Sequence, residues 1–286
     1  MNIINILDEI EKVDGEIYER LSPRRKAMKD FFNVGKKVSL AALPLALGSM
    51  FQKAYGQTNP TSVTEVLNFA LALEYLEWNY YNHALTNSTI VFPNAASRTA
   101  IETIRGHERA HVDLLKGALN ITGADAYVDA DFDFTGAATF GTAFADVFSN
   151  YQTFLKVATA LEDTGVRAYK GQAPVLVGNA VLKTALQIHS VEARHAAHLR
   201  QMTAASLGVN LKPWIAYSAN GNDTGITQVN SVYAGEQNTM QLGFEITGIN
   251  GTAVTQTHAA ECFDEFLTGT AVKTIANIFI RSKKLA

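Results

Sequence analysis

One cysteine among 286 residues sets the first limit on this chain. Cys262 has no partner for an internal disulfide and no second thiol with which to hold a metal or run dithiol redox chemistry. It reads as a small apolar core residue. Membrane-spanning runs are scarce too: the apolar stretch at residues 38–51 is 14 residues long, short of the roughly 20 that cross a bilayer core. Nor is there an excess of basic charge. The net charge is −3, and residues 57–286 alone hold 15 basic and 20 acidic residues, a net of about −5 with histidines neutral. That balance argues against nucleic acid or an anionic membrane as a partner.

What the chain does have begins with two matching sets of acids and imidazoles. The first is Glu74, then Glu108-Arg109-Ala110-His111; the second is Glu162, then Glu192-Ala193-Arg194-His195. The glutamate-to-motif gaps are 34 and 30 residues. A helix puts residues i and i+3 on one face, so each Glu-x-x-His offers a carboxylate and an imidazole to one point. Four helices with both sets turned inward would present four carboxylates and two imidazoles, the ligand set of a di-iron or di-manganese centre in a four-helix bundle. A single Glu-x-x-His says little; the repeat carries the reading. Ala72-Leu73-Glu74 aligns with Ala160-Leu161-Glu162, and Tyr81 and Tyr169 each lie seven residues beyond the glutamate. Glu77 rivals Glu74 for the same face, but its counterpart in the second half is Gly165, so the repeat selects Glu74. The alternative is a hydrogen-bonded polar core without metal. Four converging glutamates with two histidines are hard to satisfy that way, because like charges raise one another's pKa.

The chain therefore reads as mainly α: two related helical hairpins joined by a long connection. Ser62-Val63-Thr64-Glu65 is a capping box that opens the first helix. The second is expected from about residues 94–97 to 120, the third over 145–170 and the fourth over 175–206, after Pro174. Residues 122–145, interrupted by Gly123, Gly136 and Gly141, form the crossover. Asp129, Asp131 and Asp133 lack the glycine and glutamate of a calcium loop and read as a solvated acidic turn. His107, His189 and His198 flank the motifs and suit supporting or surface roles, with His189 the best spare ligand; His83 and His258 have no motif around them. Tyr81 and Tyr169 are candidate hydrogen-bond partners or redox-active neighbours of the site, although aromatics at helical spacing are more often simply core.

Residues 61–206 resemble a ferritin-like domain, and more closely the exported ferritin-like proteins related to plant desiccation-associated proteins. The stretches that carry this are Ala70-Leu71-Ala72-Leu73-Glu74-Tyr75-Leu76-Glu77, Glu108-Arg109-Ala110-His111, Ala160-Leu161-Glu162 and Glu192-Ala193-Arg194-His195. The resemblance implies a ferritin-like four-helix bundle and a dinuclear site in which Glu108 and Glu192 bridge. The expected metals are two iron ions, with manganese as the alternative, and zinc as a lesser occupant of the same oxygen and imidazole donors.

Residues 1–56 read as an export signal of twin-arginine type. Arg24-Arg25 precede the apolar run, Phe31-Phe32 stand later than the usual phenylalanine, and Ala54-Tyr55-Gly56 suits cleavage before Gln57. The alternative is an ordinary N-terminal helix. The expected organisation is thus an export signal over 1–56, the bundle over 57–206 and an extension over 207–286 that packs on the bundle or makes a homo-oligomer contact. In the extension, Met240, Leu242, Phe244 and Ile246 alternate as one strand, Asn250-Gly251 suits a hairpin turn, and 259–266 and 271–280 suit two short helices. The functional expectation is an extracytoplasmic, periplasmic di-metal carboxylate protein meeting dioxygen or peroxide, an oxidase or peroxide consumer. A non-catalytic stress-protective or structural protein is the alternative. An iron-storage shell is less expected, given the extension beyond the bundle.

Overall fold

The structure is a computed structural model, and it describes residues 62–216, 222–251 and 254–286. The expected export signal lies outside the described residues. Four long helices dominate: α1 (Val63–Thr86), α2 (Ala95–Ala118), α3 (Tyr151–Gln172) and α4 (Val181–Leu207). They pair as two hairpins, α1 with α2 and α3 with α4, and the hairpins meet along α1–α3 and α2–α4. Fifteen of the 24 residues of α1 and 18 of the 22 of α3 are buried, against six of 24 in α2 and eight of 27 in α4. The first helix of each hairpin is therefore an inner helix covered on most sides. The second shows the core a single stripe, which in α2 is Ile101, Ile104, Glu108, Val112 and Leu115 at helical spacing.

The helix starts follow from side chains that take up free amides. Ser62 and Glu65 form the expected capping box, Oγ accepting from Glu65 N at 3.2 Å and Glu65 Oε2 from Ser62 N at 3.1 Å. Asn94 caps α2 through Ser97 N. The third helix begins later than expected because Asn150 Oδ1 accepts from the amides of Gln152 and Thr153. The fourth also starts late. A 3₁₀ turn over Ala173–Leu176 is broken by Gly178 at φ 84°, and Asn179 Oδ1 then receives Val181 N. Gly208, at φ 67°, ends it.

The crossover between α2 and α3 buries Phe132, Phe134, Phe144 and Val147. It is tied to the chain's last residues by an isolated Phe132–Ile280 bridge and by Arg281 N donating to Asp131 O at 2.8 Å. The acidic turn is not simply solvated. Asp131 is buried and accepts from Val128 N, Ser282 Oγ and Lys283 Nζ, while Asp129 meets His83 Nδ1 at 2.7 Å.

After α4 come a 3₁₀ segment (Thr227–Tyr233), a two-strand antiparallel hairpin and two short helices, α5 (Gln256–Cys262) and α6 (Gly269–Phe279). The strands β1 (Met240–Gln241) and β2 (Phe244–Glu245) pair Met240 with Glu245. The expected single strand is instead a hairpin folded at Leu242-Gly243, whose φ values of 53° and 82° make the tight turn. Asn250-Gly251 falls in a separate 3₁₀ turn. Cys262 is exposed at the end of α5, contrary to the core role expected of it.

Two buried arginines fix this extension to α3 and α4. Arg167 donates to the carbonyls of Val232, Ala234 and Glu265 and meets Glu236 at 3.0 Å. Arg200 holds Asp223 with two donors and lies 3.5 Å from Asp163, which also accepts from Tyr233 Oη. At Gly171 a Cβ would stand 2.1 Å from the Leu267 carbonyl oxygen, so only glycine admits that approach. Among the described residues no helix is long and apolar enough to cross a membrane.

Candidate metal centre

Each of the four helices sends one glutamate to the centre of the bundle, and Glu74, Glu108, Glu162 and Glu192 are all 0 % exposed. A bare carboxylate in such a place costs several kcal/mol, so what faces these groups decides what the site is. The two imidazoles do. His111 Nδ1 lies 3.1 Å from Glu74 Oε2 and Glu108 Oε2 and 3.2 Å from Glu192 Oε1. His195 Nδ1 lies 2.8 Å from Glu108 Oε1 and 3.2 Å from Glu162 Oε2. Two groups result, each with its donor atoms within 4.8 Å of one another: Glu74, Glu108, His111 and Glu192, and Glu108, Glu162, Glu192 and His195. Glu108 and Glu192 belong to both. All six residues singled out in the sequence thus converge on one buried cluster.

The tyrosines complete the arrangement by exchange. Tyr81, on the helix of Glu74, donates its O–H to Glu162 Oε1 at 2.6 Å, while Tyr169, on the helix of Glu162, donates to Glu74 Oε1. Burial pushes both phenols well above the usual tyrosine range, and the charges of Glu162 and Glu74 push the same way, so both remain donors.

The electrostatics show how crowded the acids are. Burial raises Glu74 to about 7 despite its bond with His111. Glu192 is raised well above the carboxylate range by burial and then by the charges of Glu108, Glu162 and Glu74. Glu108 behaves oppositely: burial opposes ionisation, but hydrogen bonds from His111 and His195 outweigh it and hold the group at about 2. Burial disfavours the charged imidazoles as well, yet the surrounding carboxylates raise His195 to about 11 and His111 further still. The cluster therefore needs positive charge, as protons or as cations. Glu108 Oε1 and both oxygens of Glu192 are buried without a donor in hydrogen-bonding geometry, although His195 and His111 stand close. Unsatisfied oxygens on the two shared glutamates, with imidazole nitrogens beside them, fit a pair of hard or borderline divalent cations.

Two residues matter more than the sequence suggested. Glu77 is 4 % exposed, and burial together with the charges of Glu192 and Glu162 raises it well above its usual range. It occupies space that a side chain at residue 165 would take: a Cβ on Gly165 would lie 3.0 Å from both Glu77 Oε1 and Glu192 Oε2. The same lack of a side chain at 165 that makes the repeat favour Glu74 over Glu77 is what makes room for Glu77. His107 supports the site from behind, its Nδ1 2.9 Å from His195 Nε2 with the rings stacked. By contrast, His189 bonds to the Val166 carbonyl oxygen at 3.0 Å and belongs to neither donor group.

Two helical hairpins with a shared acid and imidazole cluster between them define a four-helix carboxylate bundle whose interior is suited to holding metal. The family model of the ferritin-like domain matches residues 62–205, half of the chain, and the chain belongs to that family. No curated protein and no solved structure matches it.

Proposed function

We propose that this chain is an exported ferritin-like protein with a dinuclear iron or manganese centre, acting on dioxygen or peroxide. One observation carries the metal reading: Glu108 and Glu192 each belong to both four-residue donor groups, as residues that bridge two cations must. Glu74 and His111 would complete one cation's set, and Glu162 and His195 the other's. Bound there, a pair of redox-active cations would provide a site for electron exchange with dioxygen or peroxide. The chain's own residues do the rest. The carboxylates supply negative charge that favours the higher oxidation states, the tyrosines hold Glu74 and Glu162 in place, and the apolar walls of α1 and α3 exclude water. Hard oxygen donors with imidazole suit iron and manganese, and also admit zinc.

Export is supported by Arg24-Arg25, the apolar run at 38–51 and the small residues before Gln57. A periplasmic or otherwise extracytoplasmic location follows from that reading. The second reading is a non-catalytic protective protein, favoured by the contacts the cluster makes within the chain, in which His111, His195, Tyr81 and Tyr169 each meet a central carboxylate. Metal content separates the two. Protein purified from its native compartment without added metal should carry about two iron or manganese ions per chain by mass spectrometry. No metal, with none taken up on anaerobic addition of iron, would leave the protective reading standing.

A further inference from the structure

Next to the acid cluster, between all four helices, lies a second feature that the metal reading does not use: an apolar cavity of about 310 Å³. Its walls include Leu73, Leu115, Tyr169 and Ile188, and Leu114, 47 % exposed, marks its open side. These residues abut the centre, since Leu73 precedes Glu74, Leu115 lies one turn beyond His111, and Ile188 one turn before Glu192. Tyr169 stands between the two, its ring on the cavity wall and its O–H on Glu74. No charged side chain lines the cavity among the described residues.

Thr184 and Gln172 are the polar exceptions among the lining residues besides Tyr169, and Gln172 is the buried one. Gln172 is 2 % exposed, and neither its side-chain oxygen nor its nitrogen has a hydrogen-bond partner in the protein. A buried primary amide left unmatched loses its hydration with nothing in return, so in a wall this apolar it is a poor choice for packing alone. An amide presents an acceptor and a donor side by side. The group that satisfies both is one that itself donates and accepts, such as a hydroxyl or a carboxamide. An anionic head has no cationic partner on these walls and faces the glutamates beyond Tyr169.

We propose that this cavity binds a medium-chain aliphatic or monocyclic molecule with one neutral, donating and accepting head group, an alcohol or a carboxamide, held by Gln172. The volume sets the size. A dry cavity of about 150 Å³ holds benzene, so this one holds about ten to twelve heavy atoms. As a substrate site of the dinuclear centre the cavity rests on the metal reading; as a binding site it stands on its own.

The test is isothermal titration of the full chain with octanamide, with sodium octanoate in parallel, on metal-free and metal-loaded protein. Saturable binding of one octanamide per chain is expected, with octanoate at least tenfold weaker. Gln172→Leu should weaken octanamide at least tenfold while raising the melting temperature, because it removes an unpartnered amide; a Gln172 that served the fold would lower it. Ala185→Phe, which fills the cavity, should abolish binding with the helical circular dichroism unchanged. Unsaturable heats, octanoate binding as tightly as octanamide, or an unchanged affinity in Gln172→Leu would overturn the proposal. Octanamide binding without metal uptake would sink the dinuclear reading alone, and metal uptake without octanamide binding would sink this one alone.

Discussion

The two hairpins supply the same ligand types but not the same surroundings. Each gives a glutamate from its inner helix, a Glu-x-x-His from its outer helix and a tyrosine seven residues past the first glutamate. Around that matched set the first hairpin adds an acid, Glu77, and an imidazole, His107. The second has Gly165 and Val191 at the equivalent places. One half brings charge and the other brings room. The positions next to the inner glutamates diverge as well: Tyr75 reaches out to Asp125 in the crossover, whereas Asp163 takes Tyr233 and Arg200 and so anchors the extension. A repeated ligand set can thus be kept while each half acquires its own neighbours, provided a gain in bulk on one helix is met by a loss on the facing one.

The largest effect should come from breaking what the halves share. Glu108→Ala with Glu192→Ala removes two of the four members of each donor group, and metal content should fall from about two ions per chain to none; retention of two ions by that variant would sink the assignment. Next is the tyrosine exchange. Tyr81→Phe and Tyr169→Phe each delete a buried bond to a carboxylate, worth about 1.5–3 kcal/mol, and their unfolding free energies in the metal-free protein should fall by similar amounts. A large effect in one and none in the other would show that the exchange is lopsided. The asymmetry itself is tested by Gly165→Ala. Its Cβ presses Glu77 and Glu192 at 3.0 Å, and overpacking of this kind costs about 1–3 kcal/mol. Combination with Glu77→Ala should recover much of that loss in denaturant titrations, since the two residues compete for one space.

The smallest effect concerns the tether of the first half. Burial opposes ionisation of Asp125, but bonds from Arg109, Lys116 and Tyr75 outweigh it and hold the group at about 2, below its ordinary 3.8. A depressed folded pKa stabilises above the unfolded value and is lost as pH falls through the folded one. Asp125→Asn should therefore cost about 1 kcal/mol at pH 7, the usual scale for a partly exposed ion pair. The gap to the parent should close between about pH 4 and pH 2; a constant gap across that range would assign the effect to packing instead.

The six central residues were legible because their chemistry is local. Glu108 with His111, and Glu192 with His195, need only helical spacing to share a face, and the repeat supplied the partners. The capping box at Ser62 was readable for the same reason, whereas the tyrosines stayed open between site partner and plain core because their bonds cross from one hairpin to the other. Glu77 was not, because its place depends on a missing side chain on another helix, and no pattern within α1 reports that. The acidic turn differs from the solvated one expected for the same reason: Asp131 is held by Ser282 and Lys283, about 150 residues away in sequence. The hairpin turn was hidden by its first residue, since leucine is a poor indicator of positive φ, and Cys262 ended up exposed because α5 stops at it.

The tyrosine exchange has one more consequence. Residue contacts of the form i to j and j to i are what two copies of one piece make when related by a two-fold axis. Tyr81 on Glu162 and Tyr169 on Glu74 have that form, so the middle of this bundle has the geometry of a homodimer interface contained in a single chain. Neither hairpin can bond its own inner glutamate in this way. Closing the interface and finishing the site are one event, and a hairpin cut free would need a second copy of itself to hold that glutamate again.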